Sequence, residues 1–212
     1  EHGEMDVEKL YTKLNVEKYG GMLMAPWFDR PLSVAGRIVI KEENQIKTKL
    51  VSVDRDLVMI PNLAIHMNRE ANDGYKYNPQ KDMLPLLGDG DAKESFLAII
   101  AQAAGVEEEE IIGCELSLYN RMKGTIWGAK GEFISSPRLD DLQCVFSSLK
   151  GFLKGGNSET VTVCAVFDNE EVGSGTKQGA ASTFLKDTLQ RVNFVLGRTK
   201  EDYLKALASG FM

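Results

Sequence analysis

The spacing of apolar and polar residues changes in character near residue 135. Before that point, short segments rich in β-branched residues alternate with polar turn signals, which predicts antiparallel strands. One apolar pattern with helical spacing stands among them, and it ends at Gly105. The acidic run that follows it, 107–110, is typical of a solvated turn. The predicted strands are 34–40, 47–53, 57–60, 115–119 and 124–129, and the predicted helix is 92–104.

After residue 135 the pattern becomes helix, strand, loop and helix. An apolar stripe at helical spacing predicts a helix over 139–153. The eight-residue apolar run 160–167 predicts a strand buried on both faces of a central sheet. Two further helices are predicted over 180–196 and 200–208. We therefore expect a β-rich domain over 1–135 and part of an α/β domain over 136–212.

Composition narrows the class of protein. The chain is 43% hydrophobic and 26% charged, as in soluble globular proteins. Its net charge of -6 argues against a general nucleic-acid binder, which needs a basic face. No apolar run reaches the length of a membrane span. The three cysteines, an odd number without zinc-site spacing, predict buried free thiols in a reducing cytoplasm.

Three carboxylates follow the predicted buried strand directly, in Asp168, Glu170 and Glu171. Such a cluster repels itself unless a cation lies nearby. The small residues of 172–176 let the backbone approach a bound group, and the missing Walker lysine pattern argues against phosphate. Ligand sites of open α/β sheets lie at the carboxyl ends of strands. An acidic surface turn is the alternative, and the position after a strand favours a metal site with a general base.

Asp140 and Asp141 begin the predicted helix 139–153. An aspartate there is usually a helix cap, and we interpret Asp141 in that way. Asp140 could instead bridge two metal ions with its two oxygens. Arg138 is either an ion-pair partner or an orienting group for the acidic residues.

Two motifs, taken together, indicate a known family. They are Ser-Pro-Arg-Leu-Asp-Asp-Leu at 136–142 and Asp-Asn-Glu-Glu-Val-Gly-Ser at 168–174. They resemble those of the aspartyl aminopeptidase and aminopeptidase I family of dinuclear zinc exopeptidases. Further similar stretches include Tyr19-Gly20-Gly21 and the segment 60–67 around His66. The resemblance thus covers most of the chain.

The resemblance implies a role for each matching residue. Asp140 would bridge two divalent metal ions, most simply zinc, with cobalt or manganese as alternatives. Glu171 would be a ligand of one metal, and Glu170 the general base. His66 would act in the site of a neighbouring subunit, on the scissile carbonyl or beside the metal. From the residues alone, a lone histidine in an apolar stretch is more often structural.

The same resemblance implies an incomplete α/β catalytic portion of the zinc-exopeptidase type, with an inserted β-rich dimerisation domain up to residue 135. The family's remaining metal ligands lie in motifs that would precede Glu1 and follow Met212, so metal could be absent here. We expect an aminopeptidase that releases N-terminal residues from peptides, and an acidic residue is one possibility. We also expect it to form homo-oligomers through 1–135. The alternatives are a self-association module and a metal-free peptidase-like protein.

Overall fold

The structure is a computed structural model that describes residues 4–7, 10–156 and 159–210. Its strands are β1 (Glu4–Val7), β2 (Tyr11–Leu14), β3 (Leu32–Glu42), β4 (Gln45–Ser52), β5 (Leu86–Asp89), β6 (Ile111–Asn120), β7 (Thr125–Trp127) and β8 (Phe133–Ser135). Its α-helices are α1 (Pro79–Asp82), α2 (Ser95–Ala104), α3 (Leu139–Lys154), α4 (Phe184–Val195) and α5 (Lys200–Ser209). Single 3₁₀ turns cover Ala25–Trp27, Gly90–Ala92 and Glu108–Glu110.

The chain divides into two compact units. Unit 1 comprises Glu1–Lys18 and Met22–Pro137. Unit 2 comprises Tyr19–Gly21 and Arg138–Met212. Three residues near the start of the sequence therefore belong to the C-terminal unit.

Unit 1 is built on antiparallel sheets. The strand orders are β1-β2-β5, β4-β3-β6 and β7-β8. The long central strand β3 pairs with β4 through a tight hairpin, with Glu42 opposite Gln45. Its other edge pairs with β6 from Leu32 opposite Asn120 to Ile40 opposite Ile111.

Alternation along β3 explains how the core of unit 1 forms. Val34, Ile38 and Ile40 are buried, while Arg37 and Lys41 are exposed. Strand residues two apart lie on the same face, so one face of the sheet is apolar. The buried side of α2 packs into the same core through Phe96, Ile100 and Ala104, and α2 ends at a left-handed Gly105.

Unit 2 contains the helices α3, α4 and α5, and its described residues form no strand. The aromatic rings of Phe167 and Phe184 meet edge to face, with centroids 6.2 Å apart. Tyr203 in α5 is the one buried large side chain among the residues described in this unit. Helix α5 begins with a capping box, in which Thr199 and Asp202 bond each other's backbone N–H groups.

The prediction of a buried strand over 160–167 is wrong. These residues form no strand, and the side chains of Val161, Val163 and Val166 are exposed. A strand needs a hydrogen-bonding neighbour, and the described part of unit 2 offers none. An apolar run does not reveal whether such a neighbour exists.

Smaller predictions also differ from the structure. The segment 57–60 makes only isolated bridges, such as Leu32 with Val58, instead of a regular strand. The cysteines are free, but Cys114 and Cys144 are exposed and Cys164 is partly buried, which contradicts the expectation of buried thiols. In the described ranges, no helix has the length and apolar character needed to cross a membrane.

Candidate functional site

The three carboxylates lie on a loop that folds back on itself, residues 168–182, called here the acidic loop. Backbone hydrogen bonds close it: Asp168 N–H donates to the Gln178 carbonyl at 3.0 Å, and Gly173 N–H donates to the Asn169 carbonyl at 2.8 Å. Glu170 and Glu171 occupy the turn between these bonds, and both are exposed. The loop therefore presents two neighbouring carboxylates from a closed backbone frame.

Asn169 lies at the centre of this frame. Its backbone has a left-handed φ of 64°, which asparagine tolerates better than most residues. Its side-chain amide donates to Thr176 Oγ1 at 3.2 Å and to Gln178 Oε1 at 3.3 Å. Its backbone N–H donates to Asp168 Oδ1 at 2.8 Å. Asn169 thus connects the two ends of the turn that carries the glutamates.

The side-chain oxygen of Asn169 accepts a hydrogen bond from a residue that is distant in the sequence. The Tyr19 hydroxyl donates to Asn169 Oδ1 at 2.9 Å. Next to it, Gly20 lies against the Glu171 carbonyl, so closely that a Cβ on Gly20 would be 2.0 Å from that oxygen. The segment Tyr19–Gly21 therefore contacts the acidic loop within unit 2.

Asp140 lies at the start of α3, and its side chain is exposed. The backbone there is not helical: φ and ψ are -81° and 117° at Asp140, and the Asp140–Asp141 peptide is cis. The structure shows no side-chain hydrogen bond that caps this helix, so the cap interpretation of Asp141 gains no support. Arg138, just before the helix, adopts a left-handed φ of 64°.

His66 belongs to unit 1, in a turn that follows the bridge residue Ile60. The imidazole side chain is exposed. The start of this segment is fixed by Asp29, whose carboxylate accepts from the Asn62 backbone N–H at 2.9 Å and from its side-chain amide at 2.8 Å. The backbone N–H of Asn62, followed by its side-chain amide, lowers the pKa of Asp29.

The residues that the structure describes do not gather a full set of metal ligands. Across 4–7, 10–156 and 159–210 there is no group of three or more His, Cys, Asp or Glu residues placed to hold a metal ion. Zinc in proteins usually has three or four such ligands. Asp140 and Glu171 supply carboxylates only, so they are at most part of a site.

Comparison with known proteins decides the family. Residues 2–212 match the family model described as aminopeptidase I zinc metalloprotease (M18). The chain belongs to the M18 family.

Individual M18 proteins show how far the similarity extends. The "Probable M18 family aminopeptidase 2" of Clostridium acetobutylicum is 48% identical over 215 residues, which cover 99% of this chain and 50% of that protein. A solved complex of Ape4 with Nbr1 matches with a TM-score of 0.79 at 34% identity, covering 90% of this chain and 41% of that one. The mApe1 dodecamer of S. cerevisiae matches with a TM-score of 0.68 at 31% identity, covering 90% and 44%.

The chain spans about half the length of the curated M18 relatives it matches. The solved structures that it resembles are M18 proteins of mixed α and β content. This agrees with the coarse prediction of a fold that contains both α-helices and β-strands.

Sequence reasoning did not assign the residues that shape the acidic loop. The sequence presents Asn169 only as one position of the motif 168–174, and Tyr19 and Gly20 only within a stretch similar to the M18 family. A signal was present for Gly20, because glycine is the usual residue where the backbone needs a positive φ or approaches another group closely. That signal does not name the partner, Glu171.

Proposed function

We propose that this chain is part of a metal-dependent aminopeptidase, with the acidic loop as its catalytic loop. The observation that carries the proposal is the pair Glu170 and Glu171, exposed side by side on a turn closed by the bonds of Asn169. Neighbouring residues on a turn point their side chains apart, so one carboxylate can hold a cation while the other handles a proton. Membership of the M18 family of zinc metalloproteases supports the same division of work.

The carboxylates of Asp140 and Glu171 are oxygen donors suited to divalent ions, and they are our candidates for metal ligands, with His66 of a neighbouring subunit as a third. The described residues gather no set of three ligands, so these residues alone do not form a complete site. We propose that Asp140 would hold both metal ions in a protein as long as its M18 relatives. Zinc, when bound there, would act as a Lewis acid toward the peptide carbonyl.

Glu170 is the proposed general base. Its exposed carboxylate accepts a proton from the attacking water and then delivers it to the nitrogen of the leaving amine. A proton acceptor must keep a fixed distance from its substrate, and the hydrogen bonds of the loop backbone supply that rigidity. The preference for the N-terminal residue of the peptide, acidic or otherwise, depends on groups beyond this loop.

His66 is proposed to act in the site of a neighbouring subunit, either on the scissile carbonyl or as a metal-associated group. Its exposure on unit 1 is compatible with contact to another chain. The mApe1 protein of S. cerevisiae forms a dodecamer, which supports a homo-oligomer here as well. Mixing His66→Ala chains with Glu170→Gln chains tests this idea. Hybrids should recover part of the activity, and verified hybrids without any recovery would exclude action across subunits.

A self-association module is the second candidate function, and the outer face of β4 favours it. Ile46 and Leu50 are 72% and 81% exposed on that face. Leu50 lies opposite Arg37 and Ile46 opposite Lys41, both on the exposed side of β3. Contiguous exposed apolar patches mark interaction surfaces, and Ile46 and Leu50 are the apolar residues that such a patch on β4 would contain. We propose that 1–135 serves as the dimerisation domain.

Metal removal tests the enzyme proposal. A protein as long as the M18 relatives should hydrolyse aminoacyl p-nitroanilides, lose the activity to a chelator and recover it with zinc. Assaying glutamyl, aspartyl, leucyl and alanyl substrates side by side determines the residue preference. Asp140→Asn should lower the zinc content, whereas Asp187→Asn, an exposed aspartate on α4, should not. Activity that is unchanged by complete metal removal would exclude the proposal.

A further inference from the structure

Gly20 lies directly against the backbone of the acidic loop. A Cβ built on Gly20 would lie 2.0 Å from the carbonyl oxygen of Glu171 and 2.5 Å from its carbonyl carbon. Real Cβ atoms keep at least 3.0 Å from such atoms. The φ of Gly20 is +62°, a conformation that L-residues adopt reluctantly. Only glycine therefore allows this segment and the Glu171 backbone to occupy these positions together.

Tyr19 reaches the same loop by a different contact. Its hydroxyl donates to Oδ1 of Asn169, the side chain whose amide holds Thr176 and Gln178. The two contacts flank the turn: Tyr19 acts on the residue before Glu170, and Gly20 acts on the peptide that follows Glu171. Both contacts lie within unit 2.

We infer that Tyr19 and Gly20 are positioning residues, which set the direction of the Glu170 and Glu171 carboxylates from outside the loop. This inference rests on the proposed function for its consequence in catalysis, but not for its structural part. Glu170, Glu171 and Val172 are all exposed, so apolar burial does little to hold the turn that carries the glutamates. The hydrogen bonds of the turn and the contact at Gly20 are therefore what restrain it.

A second glycine supports the same principle within the loop. A Cβ on Gly179 would lie 2.1 Å from the Ser174 carbonyl oxygen, and Gly179 is buried. The loop is thus assembled by two close backbone approaches, one internal at Gly179 and one external at Gly20. The external contact joins the loop to a residue that is far from it in sequence, and a substitution at Gly20 tests it.

The structural test is hydrogen exchange on Gly20→Ala in the 212-residue chain. The added methyl group must displace Glu171 or the segment by about 1 Å, given the ordinary limit on Cβ contacts. The amides of Gly173 and Asp168, which close the turn, should then exchange about tenfold faster. Tyr19→Phe, which removes only the hydroxyl, should accelerate them by about threefold. Amides of β3 in unit 1 should not change, which checks that the chain remains folded.

Two glycines provide matched controls. Gly21→Ala adds a methyl group next door, where no atom lies within 4 Å. Gly197→Ala adds one at a φ of +69° in the same unit, again with no atom within 4 Å, so it isolates the cost of the left-handed backbone. Both should leave the exchange of Gly173 and Asp168 within about twofold of the unsubstituted chain. Equal acceleration by Gly20→Ala and Gly197→Ala would overturn the inference.

The kinetic test uses an active protein as long as the M18 relatives. Gly20→Ala should lower kcat about a hundredfold with KM within about threefold, because displaced carboxylates impair the chemical step more than binding. Its zinc affinity, measured by calorimetry, should fall while that of Gly21→Ala does not. A fall in kcat shared by Gly21→Ala would overturn the inference. If Gly20→Ala loosens the loop but Glu170→Gln keeps full turnover, the positioning contact stands and the proposed function fails.

Discussion

The two units of the chain differ in how they hold their functional segments. In unit 1, Leu32, Ile38 and Ile100 are completely buried, and they belong to one continuous core under the sheets. In unit 2, comparable side chains such as Leu153 and Val195 are 69% and 82% exposed. The described part of unit 2 buries Tyr203 and Gly179 and little else. The candidate catalytic loop is on this second, sparsely packed unit.

This difference changes which interactions determine geometry. Burial of apolar surface supplies most of the stability of a domain, so unit 1 gains most of its stability from its core. Unit 2 depends more on individual hydrogen bonds and backbone contacts: the capping box at Thr199, the frame around Asn169 and the close approach of Gly20. Its geometry should therefore respond to single polar and glycine substitutions that would be minor elsewhere.

The largest effect on stability is expected from a cavity in the core of unit 1. Ile38→Ala removes a fully buried side chain from the central strand β3 and should lower the free energy of unfolding by about 3 kcal/mol. Both tryptophans, Trp27 and Trp127, lie in unit 1, so their fluorescence during urea unfolding reports that unit. Leu153→Ala in unit 2 should change its unfolding free energy by less than about 0.5 kcal/mol, measured by circular dichroism. Equal losses would refute the contrast between the units.

A smaller effect is expected from the cap of α5. Thr199→Ala removes the hydroxyl that accepts from the Asp202 backbone N–H at 3.1 Å, and should destabilise the helix by about 1 kcal/mol. Exchange of the Asp202 and Tyr203 amides measures the change. Thr188→Ala, an exposed site inside α4, should stabilise its helix slightly because alanine is the better helix former. If Thr199→Ala does not accelerate exchange, the importance of local bonds in unit 2 is overstated.

The smallest effect is a pH dependence in unit 1. The Asn62 hydrogen bonds lower the pKa of Asp29 in the folded state. A lowered pKa means that the stabilisation is present above the ordinary aspartate value and is lost as pH falls through the folded value. Because Asp29 is exposed, Asp29→Asn should cost less than about 0.5 kcal/mol at pH 7. The two chains should become equally stable near pH 2. A difference that grows as the pH falls would contradict the sign.

The helices of unit 2 show what sequence patterns can predict. The helix predicted over 139–153 is observed as Leu139–Lys154, and the one over 200–208 as Lys200–Ser209. Helix hydrogen bonds are local, so a helical stripe contains the necessary information. The strand predicted over 160–167 failed because pairing depends on a second segment, which an apolar run does not reveal.

In the candidate site, too, the sequence predicts the local features and not the long-range contacts. The motif at 168–174 places the glutamates next to each other, as chain neighbours must be, and it marks the loop for attention. The contacts that shape the loop, from Tyr19 to Asn169 and from Gly20 to Glu171, join residues about 150 positions apart. Spacing along one chain does not predict such contacts. The pairing of His66 with any partner also stays a prediction.

The role of Glu170 is the most direct test of the account. In a zinc-loaded protein as long as the M18 relatives, Glu170→Gln should lower kcat by about a thousandfold and leave the zinc content unchanged, because a general base contributes about that much. Glu201→Gln, an exposed glutamate of α5 paired with Lys205, should keep normal turnover. Normal turnover by Glu170→Gln, with its zinc retained, would contradict the assignment of the acidic loop as the catalytic loop.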